Sequence, residues 1–501
     1  MMPIEKQPQS LAQSSPSLAD TKRREQMHAA WKAYRGEFDP PLKVKRGQPD
    51  DNAISNRCAG IVNKGVSFLF GSVLQIEPGE AEGNEAIQAY LNGFWGDDDD
   101  RMTLLSQLAM NGAVCGQAFL KLLPPQQGQK YPRLVVLDPL LVRVVAAPED
   151  CSLILAYIIE YPASDGLQKR QIIARVDPNH DTINRYELDD IWVIYSYVRN
   201  GNMGSWIQLE EPEIWSYPFP PIFSCQNLPN PNEIWGMPDL TPDLINMNKL
   251  LNFVQSNISR ILRFHAHPKT YASGITASQI DISVDELICL PNPEARLQNV
   301  EMQSDLSSSL SFASVLRSDM DEQSRVPAVA LGRLSEMPRG DVSGLALQLM
   351  FQPLLEKTIQ KRRLYGRLIR DVSRAALILG GLIPVEVYED FPINLHWQDL
   401  LPVDTLKMAQ EGLVLKQLGV SDATILQRLG FNPDEEREKS RAEDELKMLL
   451  YARGQGFPPA AEQQQGGASP QQSQNGQERE EDSPFIGRKR SRTPSASETR
   501  N

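Results

Sequence analysis

The sequence predicts an α+β chain in which helical stretches and one β-rich stretch occupy separate parts of the 501 residues, between polar, disordered termini. Three observations predict it. Apolar residues recur at three- and four-residue steps over 50–116 and again from 239 onward. Between about 117 and 220 that period gives way to short β-branched and aromatic runs separated by Pro, Gly, Asn and Asp. Residues 1–20 and 454–501 hold Pro, Ser, Gln, Gly and charge with almost no large apolar side chain. With 41% hydrophobic residues the middle of the chain builds real cores, and the length allows two to four domains at about 100–200 residues each.

Taken in order, Asn56–Phe70 and Arg101–Cys115 read as helices, separated by a loop that carries the acidic run Asp97–Asp100. The runs RLVVL, LVRVVAA, LILAYIIEY, QIIARV and IWVIYSYV read as strands of an antiparallel sheet. Over 239–264, Leu240, Leu244, Met247, Leu251, Val254, Ile258 and Ile261 alternate steps of four and three, which predicts a long helix packed along one face. Leu306, Leu310, Ala313, Leu316 and Met320 predict a second such helix at about 304–325, and the residues between the two read as a compact insert of short strands. Residues 327–344 contain two prolines and three glycines and read as a loop. A long helix follows over about 345–380, with a kink expected near Gln352 because Pro353 removes a backbone donor and crowds the preceding turn. Three short helices close the ordered region at 404–417, 421–430 and 433–452, with Ser421 as an N-cap, Gly430 as a stop and Pro433 at the last start.

Charge narrows the function. Lys+Arg total 51 against Asp+Glu 64, a formal net charge of -13, which argues against a protein that coats nucleic acid through a basic surface. The N-terminus lacks the apolar core of a secretory signal, and the apolar stretch 59–76 is interrupted by Asn63 and Lys64, so a soluble, intracellular chain with no membrane partner is expected. Cys58, Cys115, Cys151, Cys225 and Cys289 are scattered without a CxxC pair and read as reduced core thiols. The sequence contains no GxxxxGK[ST] phosphate loop, no GxGxxG after a strand, no GxSxG elbow and no HExxH helix. The chain itself therefore does not read as a nucleotide-driven motor.

Four features admit two readings each. Arg363, Arg367, Arg370 and Arg374 fall at steps of four, three and four, and with Lys357, Lys361 and Arg362 against Asp371 they make residues 357–374 strongly basic. This stripe is either a solvated face pairing with acids such as Asp97–Asp100, or a surface for DNA or for another subunit. His265 and His267 form an HxH pair, either two ligands of a metal or imidazoles at a helix C-terminus. Residues 404–430 imitate a helix-turn-helix, but the second helix offers only Gln427 and Arg428 for base edges, so packing helices are the other reading. The basic run Arg488, Lys489, Arg490 and Arg492 is either a localisation or nucleic-acid tag or a chance feature of a polar tail.

Several segments together resemble the portal proteins of tailed double-stranded DNA bacteriophages, in the Gp6-like, long-tailed branch. They are NRCAGIVNKGVSFLFG (56–71), GQAFLKL (116–122), NLPNPNEIWGMPDLTPDLINMNKLLNFVQSNI (227–258), the 327–347 stretch with SGLAL, and INLHWQDLLPVDTL (393–406). The resemblance spans about residues 50–450. It implies a homo-oligomeric ring, usually of about twelve copies, at one capsid vertex of the virion, assembled in the host cytoplasm. Double-stranded DNA is packaged and ejected through it, and its partners are terminase, head–tail connector proteins, and major capsid and scaffolding proteins. The resemblance implies a structural, non-enzymatic ring with no catalytic residue, cofactor or metal, and energy from ATP would come from the terminase. By the same resemblance, 1–49 is an N-terminal extension, 50–237 with 381–402 the wing, 238–264 and 304–326 the stem, and 265–303 the clip. The tunnel loop is 327–343, the long kinked helix 344–380, the crown 403–453 and the tail 454–501. The tunnel-loop residues Leu331, Arg333, Leu334, Met337 and Arg339 would meet DNA, with Gly332, Gly340 and Gly344 letting the loop move; a plain surface loop is the other reading. Acidic walls suit a channel that must not grip phosphates. The competing expectations are a packaging motor, which the missing phosphate loop disfavours, and a DNA-binding protein resting on His265, His267 and 404–430.

Overall fold

The computed structural model describes residues 8–47, 49–79, 84–163, 166–176, 191–201, 204–266, 270–273, 296–299, 306–333, 344–401, 405–429 and 433–452. The chain divides into two units, Met1–Asp404 and Thr405–Asn501.

The first unit opens with α1 (Pro8–Gln13) and α2 (Leu18–Arg35). This corrects the expectation of a disordered 1–20 for residues 8–20: they are ordered, and Leu11 and Ala12 are buried. A six-residue helix is too short to display a period or to hold by propensity; tertiary contacts hold it. In α2 only Met27, Ala30 and Ala33 are buried, a narrow stripe of mostly small residues on a strongly polar helix. Ser17 and Asp20 cap its start reciprocally, and Gly36, at φ 77, closes its end.

Next come α3 (Arg57–Phe70), β1 (Gln75–Pro78), α4 (Asn84–Trp95) and α5 (Asp98–Cys115). The acidic run is not a separating loop. The Asp97 side chain accepts from the Asp100 N–H as N-cap, and Asp98–Asp100 form the first turn of α5, where the positive end of the helix dipole favours carboxylates.

The β-rich stretch forms two antiparallel sheets. β2 (Gln117–Leu123) lies between β3 (Arg133–Leu137) and β10 (Ile222–Gln226). A six-stranded sheet runs in the order β4 (Val142–Ala146), β5 (Ile154–Pro162), β6 (Leu167–Val176), β7 (Ile191–Asn200) and β8 (Ile207–Gln208), with β9 (Glu213–Trp215) also paired to β7. Its two faces feed different cores: Tyr157, Ile159, Ile173 and Ile194 pack into the main one, and Ile158, Ile172, Val193 and Tyr195 into a second. Burial on both faces is why these strands read as unbroken apolar runs.

Then follow α6 (Pro242–Ala266), the antiparallel pair β11 (Thr270–Ser273) and β12 (Arg296–Asn299), α7 (Ser307–Ser324) and α8 (Gly344–Leu379), and β13 (Ile393–His396) pairs with β1. On α6, Leu240 just ahead of it and Leu244, Leu251 and Ile258 within it are buried. On α7, Ala313, Leu316 and Met320 are buried but Leu310 is exposed, so its apolar stripe is covered only along its second half. Residues 328–331 form one 3-10 turn ending at Gly332, φ 81. α8 continues as one helix through Pro353, with Leu354, Lys357, Thr358 and Lys361 buried immediately beyond it. No helix among the described residues is long and apolar enough to cross a membrane.

The second unit contains α9 (Thr405–Gln417), α10 (Asp422–Arg428) and α11 (Pro433–Ala452). The Ser421 hydroxyl accepts from the Thr424 N–H as the expected N-cap, and Gly430 lies outside the described residues.

Candidate functional site

Most of the buried charged and polar groups of the first unit lie where α6, α7 and α8 meet the elements around them. The innermost group is Asp239, 4% exposed, just ahead of α6. Its Oδ2 accepts from Lys361 Nζ at 2.7 Å, and its Oδ1 from Lys357 Nζ at 3.1 Å and from Asn227 Nδ2 at 3.1 Å. Lys357 also donates to the Ser324 carbonyl at the end of α7, at 2.9 Å, and the Asp239 N–H donates to the Ala113 carbonyl of α5 at 2.7 Å. Asp239, through its carboxylate, its backbone N–H and the Lys357 it holds, thus ties five segments of chain. Burial pushes its pKa up, but the two ammoniums override burial and hold the carboxyl well below the usual carboxylate range. Burial likewise draws Lys361 down to about 8, with Asp239 opposing and Lys357 adding to the fall. Gly112 makes room for this knot: a Cβ there would collide with the Tyr365 hydroxyl, which donates to Asn227 Oδ1 at 3.4 Å.

A second hub is Asp321 on α7. Arg57 pairs with its Oδ1 at 2.6 Å, and Arg333 pairs with its Oδ2. Arg333 is therefore anchored at the entry to the 334–343 segment.

A third feature runs along α6. Asn248, Asn252 and Ser256, one turn apart and fully buried, bind the backbone of the segment that leads into the first residue of α3. Asn248 Oδ1 accepts from the Arg57 N–H at 3.0 Å and its Nδ2 donates to the Ser55 carbonyl at 2.9 Å. Asn252 Oδ1 accepts from the Ser55 N–H and Ser256 Oγ from the Ala53 N–H, both at 2.9 Å. Beyond them Arg263 grips Asp51 through two bonds of 2.7 and 2.6 Å, with Arg260 at 3.4 Å. The two arginines, through hydrogen bonds and charge, hold the Asp51 carboxyl below its ordinary pKa.

Of the predicted site residues, Leu331 is half-buried against the core and near Gly60, while Leu334, Met337 and Arg339 lie outside the described residues. The basic stripe is narrower than its sequence suggests. Lys357 and Lys361 point inward to Asp239, and Arg362 stacks over Trp397 with its guanidinium carbon 4.9 Å from the ring centroid. Arg374 is half-buried, donating to the Phe391 carbonyl at 2.7 Å and pairing with Asp371 at 3.3 Å. Arg370 is half-buried, and Arg363 and Arg367 are exposed. Asp98 pairs with Arg101 on its own helix, and the stripe pairs within α8 itself, Arg367 and Arg374 with Asp371. His265 falls in the last turn of α6 and His267 lies outside the described residues. In 404–430, Gln427 is exposed on α10.

Sequence reasoning missed Asp239, Asp321 and the Asn248–Asn252–Ser256 ladder. The ladder had a signal, since three small polar residues at steps of four flank an apolar stripe and form a second, polar stripe. Lys357 and Lys361 had one too, because they sit at i and i+4 with Leu354, Thr358, Tyr365 and Leu368 on adjoining positions of the helix.

Burial pushes the Cys58 and Cys115 thiols up to about 12 and Cys225 higher still, which keeps them protonated and poorly nucleophilic. Cys289 lies outside the described residues.

A family model described as "Phage portal protein, SPP1 Gp6-like" matches residues 20–449. Among solved structures, a chain from the neck of an empty gene transfer agent (GTA) particle computed with C6 symmetry is 14% identical, covering 78% of this chain and 96% of that one at TM-score 0.45. A chain from the virion of a native GTA particle is 13% identical over 81% of this chain and 99% of that one, at TM-score 0.42. A chain from the neck of a native GTA particle computed with C12 symmetry is 14% identical over 75% and 90%, at TM-score 0.41. No curated protein matches.

Proposed function

We propose, from the premise that this chain belongs to the SPP1 Gp6-like phage portal protein family and is thus a structural protein of the capsid vertex, that it closes into a ring of about twelve copies. Double-stranded DNA passes through the channel of that ring during packaging and ejection. The order of elements supports the reading: two helices with apolar stripes, α6 and α7, enclose a short β pair, and a loop and the long α8 follow, all within the matched residues 20–449. In this reading α6 and α7 are the stem, β11 and β12 belong to the clip, the sheets and α3–α5 form the wing, 327–343 is the tunnel loop, and α9–α11 are the crown. The ring docks terminase, head–tail connector proteins, and major capsid and scaffolding proteins, and itself turns over no nucleotide.

Charge supports low adhesion to the duplex, because a net -13 per copy repels phosphates around the ring. DNA contact falls to Leu331, Leu334, Met337 and Arg339, with Arg333 anchoring the loop base through Asp321. Arg363 and Arg367 offer the exposed part of the basic stripe to a neighbouring subunit or to DNA.

Native mass measurement with electron microscopy tests the ring. Rings of about a dozen subunits are expected; a monomer or dimer under every assembly condition overturns the reading. Replacing Arg333 and Arg339 together with Ala is expected to leave rings intact and to impair DNA retention. Unchanged packaged-genome length and titre would remove the loop's role.

A further inference from the structure

The face of the six-stranded sheet that packs the smaller core also holds a cluster of arginines with too little negative charge. Arg143 on β4, Arg170 on β6 and Arg199 on β7 share that face with Glu160 on β5, and Arg24 of α2 approaches Glu160 at 3.9 Å. Arg143 and Arg170 are 5% and 3% exposed. Among the described residues, Glu160 is the one carboxylate bonded to the group, to Arg170 at 2.7 Å, with Asp20 acting on Arg143 from farther off. The Nε donors of Arg143 and Arg170 and one Nη of Arg24 are buried and meet no protein acceptor among the described residues. Buried guanidinium donors in that condition carry an unrelieved desolvation cost.

The cover over this cluster is α1 with Ser14. Arg170 donates to the Ala12 carbonyl and, at 3.3 Å, to the Ser14 carbonyl, and Arg143 donates to the Ser14 hydroxyl at 2.8 Å. Gln13 bonds the Trp206 backbone, donating to its carbonyl at 2.9 Å and accepting from its N–H at 3.4 Å. Trp206 is flanked by Arg170 and Arg199, whose guanidinium carbons stand 4.2 and 4.4 Å from its ring centroid, which fixes both cations in place. Residues 8–17 contain no carboxylate. The arginines therefore hold the segment mainly by its main-chain carbonyls, and none of its side chains answers their charge.

We propose that this sheet face is a receptor for an acidic peptide segment of a partner protein, and that residues 8–14 occupy it in the unbound chain as a carboxylate-free placeholder. The partner segment is a short helical turn with an apolar residue at the place of Leu11 and an Asp or Glu three positions later, at the place of Ser14. Its carboxylate accepts the unanswered Nε donors as charge-assisted bonds, which the Ser14 hydroxyl cannot supply.

Two measurements on the full chain test it. In Ser14→Asp, hydrogen exchange at Leu11–Gln13 is expected to slow about ten-fold, because the cover now carries the missing carboxylate. In fluorescence anisotropy, a fluorescein-labelled synthetic copy of residues 8–17 carrying Ser14→Asp is expected to bind the full chain about ten-fold more tightly than the unaltered copy. That difference is expected to disappear in Arg143→Gln. If Arg143→Gln does not fold, Arg199→Gln serves, with a reduced difference expected. Unchanged or faster exchange in Ser14→Asp, equal affinity of the two peptides, or no binding of either would overturn the proposal. None of these outcomes depends on ring formation.

Discussion

Replacing Asp239 with Asn keeps the size of the side chain and removes the one negative charge shared by Lys357 and Lys361. Both ammoniums are buried, so the change strands them in a dry site. Breaking a buried pair in this way costs about 3–5 kcal/mol. Lys361 already sits near 8 and relieves part of the cost by losing its proton at neutral pH, which places the expected loss at the lower end. With an unfolding entropy of about 2 cal/mol/K per residue, a unit of this size loses roughly 4 °C of melting temperature for about 3 kcal/mol. The pH dependence has a definite sign. A lysine whose folded pKa is depressed binds fewer protons folded than unfolded, so stability rises with pH between the folded and unfolded values. The gap between the Asp239→Asn chain and the natural one should narrow as pH is raised from 7 towards 10. On the acid side the natural chain loses the Asp239 contribution as pH falls below the ordinary Asp value towards the depressed folded one. Lys361→Met removes one of two cations and leaves a one-to-one pair, so it should cost far less than Asp239→Asn and come out near neutral. Thermal melts of the unassembled subunit across pH 6–10, with both variants, supply the assay. A loss below about 1 kcal/mol for Asp239→Asn, or one as large for Lys361→Met, would refute the reasoning.

Gly112→Ala should destabilise the subunit by about 1–3 kcal/mol through collision with Tyr365, and Tyr365→Phe in the same chain should recover most of it, read in the same melts. Asn252→Ala removes the acceptor of the Ser55 N–H, so exchange of that amide should accelerate about ten-fold or more while the amides of β6 stay protected. Alkylation with iodoacetamide at pH 8, followed by mass spectrometry, should leave Cys58, Cys115 and Cys225 unmodified in the native chain and modify the half-buried Cys151; rapid labelling of Cys115 would contradict its burial.

Much of the architecture was legible because one periodicity dominated each stretch. The stripe from Leu240 to Ile258 named its helix, the apolar runs between Arg133 and Asn200 named the sheets, and Ser421 capped where its neighbours predicted. The rest failed where a residue's role depended on something distant in sequence. Asp97 looked like a loop acid until a helix began right after it. Lys357 and Lys361 counted as surface charge because the carboxylate that neutralises them lies more than a hundred residues earlier. Leu11 and Ala12 looked like part of a polar tail because six residues cannot show a period. The Arg333 ion pair with Asp321 was hidden because it depends on how α7 and the 3-10 turn fold back on each other.

The ladder between α6 and the segment before α3 has a mechanical consequence. The amides bound are alternate ones, Ala53, Ser55 and Arg57 at the start of α3, while their partners Ser256, Asn252 and Asn248 step back by four residues of helix, about 6 Å each. The two repeats run antiparallel and nearly in step, and the Asp51 clamp closes one end. A pull along the helix axis loads every rung in shear at once, whereas a pull across it would open them one at a time like a zip. The joint is thus stiff along the direction in which the helix points and weak at right angles to it. A slip of one residue along that segment would take Ala53, Ser55 and Arg57 away from Ser256, Asn252 and Asn248 and lose all the rungs together.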